Sequence, residues 1–261
     1  MSDATQQPAV PYTLLLRLAG PMQSWGTHSR FSYERDTERE PSKSGVIGLL
    51  AAAQGRPREA PVDDLAALTM GVRIDRPGLL KVDYHTVGGT NRKGDTYGVA
   101  EVGGDKRRTA VTHRYYLADA SFLVGLQGDE ALLRTLDAAL AGPVWPLSLG
   151  RRAFVPGEPI RLPDEPPWGP GLRPGTVEDV LRAYWPPRPD HAVRDEYQRP
   201  AERVMLVIDD GFDPGKPGDT TAPREMRRDV PLSFAPANRL YDVRYVLIKD
   251  APIPRTTQEE P

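Results

Sequence analysis

Apolar residues recur at the spacing of one helix face in two places along the chain. Val46, Leu49, Leu50 and Ala53 fall at i, i+3, i+4 and i+7, and Leu132, Leu133, Leu136 and Leu140 form a second stripe. The first predicts a helix within Pro41–Gly55, started by Pro41 and a polar run and stopped by Gly55 and Pro57. The second predicts a helix over Asp129–Ala141, stopped by Gly142 and Pro143. A short helix with acidic residues at its start is expected over Asp63–Thr69. Short apolar runs predict strands at Tyr12–Leu18, Lys81–His85, Tyr115–Leu126 and Val144–Arg152, and period-two alternation predicts one at Met70–Asp75. Strand, helix, strand, strand, helix, strand is the order of an α+β, ferredoxin-like (RRM-like) βαββαβ core with both helices on one face of the sheet.

Beyond residue 160 the pattern thins. Residues 161–200 are rich in proline, with Trp168, Tyr184 and Trp185 scattered among them, and read as irregular connection. Val204–Ile208 and Tyr241–Lys249 read as strands, with a loop over 209–224. The expected organisation is a ferredoxin-like domain over 11–160 and a small, strand-poor, irregular extension over 161–250. Residues 1–10 and 251–261 are expected to be disordered.

Composition narrows the classes. Of 261 residues, 27% are charged and 39% hydrophobic, which is a globular balance. There is no cysteine, so disulfides and thiolate metal sites are excluded. Neither a signal-peptide pattern nor an apolar run of membrane-spanning length is seen, and a cytoplasmic protein is expected. The net charge of −2 announces no nucleic acid globally, so any such site must come from local clustering.

Four stretches carry candidate chemistry. The start of the first long helix places Ser42, Lys43 and Ser44 beside free backbone N–H groups and the positive end of the helix dipole. That is either an anion site suited to phosphate or an ordinary capped core helix. Gly45 and Gly48, poor helix formers, imply a close approach there. Gly20–Gly26 reads as a loop exposing Gln23 and Trp25, the tryptophan being a core plug or a stacking platform. Residues 27–40, of mixed charge, read as a mobile surface loop. Lys81–Tyr116 carries seven Lys or Arg against four Asp or Glu and six glycines between 86 and 109. It is expected to be a projecting hairpin that touches phosphates through Arg92, Lys93, Lys106, Arg107 and Arg108, or else a solvated loop. Arg151 and Arg152 after Gly150 form a phosphate clamp or a solvated pair. The four histidines have no metal-binding spacing and no phosphate-binding GxxxxGK[ST] loop is present, so no metal and no cofactor is expected.

Five ordered motifs resemble one family. Leu18–Gly26, Pro41–Leu50, Asp83–Val87, Leu117–Phe122 and Leu149–Arg152, with Arg228–Pro231 and the Tyr241–Lys249 strand, are similar in order and spacing to the CasD subunit family of the type I-E CRISPR surveillance complex, Cascade, within the RAMP superfamily. The resemblance covers most of residues 12–160 and returns near 225–249, leaving 161–224 unmatched. It implies a core that grips the 5′ handle of the guide RNA (crRNA) and a β-hairpin thumb, here about 81–116, that bends the RNA. It also implies a non-catalytic place at the foot of the assembly, beside the large subunit and the end of the backbone filament, with target DNA met through the complex in antiviral defence. Ser42, Lys43, Ser44, Arg151 and Arg152 are then expected on phosphates, and Gln23, Trp25, Tyr84, His85 and Trp145 near handle bases. The alternative is a metal-independent endoribonuclease that processes precursor crRNA through Tyr84, His85 and Lys43, a general base and a cation near the scissile phosphate.

Overall fold

The computed structural model describes residues 10–27, 33–88, 99–100, 107–164, 169–184, 203–211 and 223–252. In chain order the elements are β1 (Tyr12–Gln23), β2 (Glu34–Arg35), α1 (Lys43–Ala53), α2 (Asp63–Ala66), β3 (Thr69–Arg76), β4 (Leu79–Val87), β5 (Val99–Ala100), β6 (Arg107–Arg108), β7 (Ala110–Gly128), α3 (Glu130–Ala141), β8 (Leu172–Pro174), α4 (Val177–Ala183), β9 (Arg203–Asp209), β10 (Arg224–Ser233) and β11 (Leu240–Pro252). Seven strands run β10-β11-β9-β3-β7-β1-β8 across one antiparallel sheet, with β2 and β4 attached to β7.

Both faces of the sheet are covered, which explains why β1 reads as an unbroken apolar run. Leu14, Leu16 and Leu18 point to the face carrying α1, α2 and α3, with Phe122, Val124 and Leu126 from β7. Leu15 points to the other face, against Leu123, Leu206, Ile208 and the α4 residues Val177, Val180 and Leu181. For the same reason Met70–Arg73 of β3 are all buried instead of alternating. The long helices follow the predicted stripes. Ser42 caps α1, its Oγ accepting from the Gly45 N–H, and Asp129 caps α3, accepting from the Leu132 N–H at 2.9 Å.

The close approach expected at the α1 glycines is aromatic. A Cβ at Gly45 would lie 2.8 Å from the Trp25 ring, whereas one at Gly48 would meet only Phe234, at 3.8 Å. Gly45→Ala is therefore expected to lower stability by about 1–3 kcal/mol through overpacking. Gly48→Ala should raise it by up to about 1 kcal/mol through helix propensity. Urea unfolding of the two variants separates the cases.

Several expectations are corrected. Val144–Arg152 is not a strand: the Val144 and Trp145 N–H groups bond the Ala53 and Ala52 carbonyls at the end of α1, and Pro146 and Gly150 deny the segment a ladder. The strand beside β1 on that side is β8 instead, joined by an isolated bridge between Leu16 and Arg161. The Pro-rich region is not wholly irregular, because it holds β8 and α4, the latter capped by Thr176, whose Oγ1 accepts from the Asp179 N–H. Nor is the C-terminal part strand-poor. Its strand β9 pairs directly with β3, and β11 and β10 extend the same sheet outward. The first strand runs on through Gly20 and Pro21 to Gln23, so that stretch is ladder and not loop.

β3 and β4 act as one long strand against β7, interrupted at Pro77–Gly78. The β3 residues pair with the 121–127 half of β7 and the β4 residues with its 110–118 half. Gly78 at φ +72° sits opposite Asp119 at φ 58°, the latter tied to Arg76 at 3.0 Å, and there the ladder leaves the sheet as a two-stranded ribbon. Since paired residues share a face, Leu80, Val82, Tyr84, Tyr115 and His113 lie on one side of the ribbon, and Lys81, Asp83, His85 and Arg114 on the other.

Candidate nucleic-acid interface

The start of α1 is an anion site, but its anion comes from the chain itself. The Lys43 N–H donates to Asp229 Oδ2 at 2.7 Å, placing a β10 carboxylate at the positive end of the helix dipole. Lys43 is 6% exposed and its ammonium bonds Asp209 Oδ2 at 3.1 Å, while Asp209 also accepts from the Met70 N–H at 2.9 Å. Arg244 closes the network, its Nε and Nη2 on the two Asp229 oxygens at 2.7 and 2.9 Å and its Nη1 on Asp209. Burial disfavours the Arg244 charge, yet the hydrogen bonds of Asp229 and the field of Asp209 outweigh it and hold its pKa above the ordinary range. Two cations and two carboxylates thus neutralise one another and lock the β10–β11 hairpin onto α1. Lys43 is not presented to a phosphate.

Gln23 and Trp25 are likewise internal. Trp25 is 1% exposed, and its indole N–H donates to Gln23 Oε1 at 3.2 Å. The Gln23 amide in turn donates to the Leu18 and Ala120 carbonyls at 3.0 and 2.8 Å. This glutamine satisfies backbone at the end of β1, and the tryptophan plugs the core against Gly45.

What remains open beside α1 is a cleft of about 640 Å³. Its walls include Ser42, Ser44 and Gly45 at the start of α1, Arg35 of β2 and Asp36 after it, Gly150 and Arg151, and Phe234 and Arg239 of the β10–β11 connection with Tyr241 at the start of β11. Among the described residues the cleft is lined by three arginines and one aspartate. Arg151 is the most informative. Among the described residues it donates to the carbonyls of Arg35 and Tyr115, at 3.2 and 2.9 Å, instead of to a carboxylate, and its guanidinium lies 5.4 Å from the centre of the Phe154 ring. Burial, with Arg114 and Arg35 nearby, pushes its pKa below the usual arginine value, and Asp83 and Asp36 oppose the shift. A cation held half-buried among other cations gains from a further anion. The turn that presents it is fixed: Gly150 has φ +91°, and the Ser24 N–H bonds the Leu149 carbonyl at 3.1 Å.

The other expected residues disperse. Tyr84 is 64% exposed on the apolar ribbon face, edge-on to His113 with ring centres 5.5 Å apart. His85, on the opposite face, has Nδ1 3.5 Å from Asp83 Oδ2. Trp145 is exposed at the far end of α1, and Arg152 is exposed beside Arg151. Arg92, Lys93 and Lys106 lie outside the described residues, and Arg107 and Arg108 are described only as the backbone of β6, paired with β5. Tyr84, His85 and Lys43 do not converge, since the first two leave β4 on opposite sides and the Lys43 ammonium is engaged by Asp209. Arg35 and Arg239, single arginines in stretches of mixed character, carry no signal in the sequence, and neither do the long-range partners Asp209 and Arg244. The only signal for Asp229 was the Arg228–Pro231 motif.

The profile of the family described as "CRISPR-associated protein (Cas_Cas5)" matches residues 13–247. A relative from Escherichia coli (strain K12), "CRISPR system Cascade subunit CasD", is 36% identical over 166 residues, covering 57% of this chain and 69% of the relative. The chain belongs to the CasD family of type I-E Cascade subunits. Solved structures agree. A chain of a "CRISPR RNA-guided surveillance complex" aligns at 39% identity and a TM-score of 0.70, covering 94% of this chain and 92% of its own length. A "Crystal structure of Cas protein" aligns at 38% identity and a TM-score of 0.65, covering 92% and 95%. The antiparallel sheet with helices on its faces is thus the architecture of solved Cas structures. No helix among the described residues is long and apolar enough to cross a membrane.

Proposed function

We propose that this CasD-family chain binds the 5′ handle of crRNA in the cleft beside α1, without cutting it, and caps the foot of Cascade in the cytoplasm. Backbone-filament and large subunits are its neighbours, and target DNA is met only through the complex. The observation that carries the reading is Arg151, a fixed guanidinium without a carboxylate partner among the described residues, set between Arg35 and the base of the ribbon. Guanidinium groups bind phosphate oxygens in a forked, charge-assisted geometry, and the hydroxyls of Ser42 and Ser44 add polar groups to the same wall. From the cleft a strand of RNA continues along the charged ribbon face of Arg114, Lys81 and His85, which acts as the thumb. The sheet order β8-β1-β7-β3, with α1 and α3 packed on one face, supports the ferredoxin-like reading of the core. The scattering of Tyr84, His85 and Lys43 supports a scaffold over a nuclease.

Arg151→Ala is expected to weaken handle binding on the order of ten- to a hundredfold, the worth of one charge-assisted contact. Lys43→Ala should lower stability and leave affinity near wild type. Fluorescence anisotropy with labelled handle RNA, beside a melting curve for each variant, checks both. Unchanged affinity for Arg151→Ala would remove the cleft from the site.

A further inference from the structure

The β10–β11 connection carries no sequence motif, yet with Tyr241 at the start of β11 it forms one whole wall of the cleft. Phe234, Pro236, Arg239 and Tyr241 line it, facing Arg35 and Arg151. The wall is ordered by its own bonds. The Ala235 N–H donates to Ser233 Oγ at 3.2 Å, the Asn238 N–H to the Ala235 carbonyl at 3.0 Å, and Tyr241 pairs with Pro231 in the ladder. It is also anchored on α1, through Phe234 over Gly48 and through Asp229 at the helix start. Arg239 is exposed and makes no ion pair among the described residues. A buried four-charge network therefore holds in place a short loop whose arginine faces a cleft already rich in guanidinium.

The geometry points to this connection as an RNA-contacting wall, with Arg239 on a backbone phosphate and the rings of Phe234 and Tyr241 beside an unstacked base of a single strand. The inference rests on the cleft being the handle site. Its chemistry follows from the lining. Among the described residues, three arginines against the carboxylate of Asp36 favour a polyanion. Aromatic rings in the same wall suit a base freed from stacking, which duplex RNA does not offer. The volume, about 640 Å³, falls in the range of pockets that enclose small organic molecules.

The test titrates the full chain with labelled single-stranded handle RNA over a series of salt concentrations. Arg239 lies on an exposed turn, so Arg239→Ala and Arg239→Glu should keep the wild-type melting temperature. Arg239→Ala should weaken binding roughly 5- to 20-fold and flatten the log–log salt slope by about 1, Arg239→Glu should weaken it further, and Arg239→Lys should restore the slope. If the Arg239 variants match wild type while Arg151→Ala binds weakly, the wall is not part of the site and the cleft reading stands. If Arg151→Ala also matches wild type, both fall together. Equal competition by the same sequence in duplex form would overturn the unstacked-base contact.

Discussion

Asp229→Ala is expected to destabilise the fold by about 3–5 kcal/mol, the cost of breaking a buried ion pair by removing one partner. The residue is 3% exposed. Its loss strips Arg244 of two hydrogen bonds and leaves the Lys43 N–H at the start of α1 without its acceptor. Arg244 then keeps only Asp209 as a buried counter-charge, and that carboxylate is shared with Lys43. Lys43→Ala is milder, because Asp209 retains Arg244 and the Met70 N–H. Asp229→Asn preserves an acceptor for the helix and should cost less than alanine. Chemical unfolding of the three variants should rank Asp229→Ala as the most damaging. A loss below about 1 kcal/mol for Asp229→Ala, the range of exposed pairs, would show that the network is solvated and does not lock the hairpin to α1.

Gly150→Ala is the second large effect. At φ +91° a side chain is strained, and a Cβ there would overlap the Ser24 carbonyl oxygen, which is backbone and has nowhere to go. The turn must move away from Ser24, carrying Arg151 with it. The expected loss is on the order of 2–4 kcal/mol, from left-handed strain plus the broken contact. Handle affinity should also fall toward that of Arg151→Ala, although the arginine itself is intact. Stability and affinity both at wild-type values would mean that the turn does not position Arg151.

Features whose cause is local were legible before the structure. The α1 and α3 stripes, their stops, and the strands β1, β3, β9 and β11 follow from spacing within a dozen residues. The resemblance of five ordered motifs led to the right family. Elements whose cause is distant were not legible. β10 carries Arg224, Glu225, Arg227, Arg228 and Asp229 and has no strand pattern of its own, since several of those charges meet partners in α1, in β11, at Asp210 after β9 and in the 33–40 segment. α4 is seven residues in a Pro-rich stretch, short enough for composition to hide it. Val144–Arg152 has the apolar content of a strand but spends its N–H groups on the end of α1.

The site shows the same division. An anion site at Ser42–Ser44 was readable from helix physics, and an anion does sit there. Its identity as Asp229, 186 positions away, was not readable. Lys43 therefore moves from expected phosphate contact to buried counter-ion, which leaves Arg151, Arg35 and Arg239 as the arginines lining the cleft. Trp25 and Gln23 satisfy each other indoors, which no spacing between them reveals.

Handle binding without cleavage is the behaviour expected of this chain. Its most direct test is end-labelled precursor crRNA incubated with the purified protein in EDTA and run on native and denaturing gels side by side. The expected result is a shifted band on the native gel, abolished as salt rises, and full-length RNA on the denaturing gel. A discrete product cut within the repeat, lost in His85→Ala with binding retained, would contradict it.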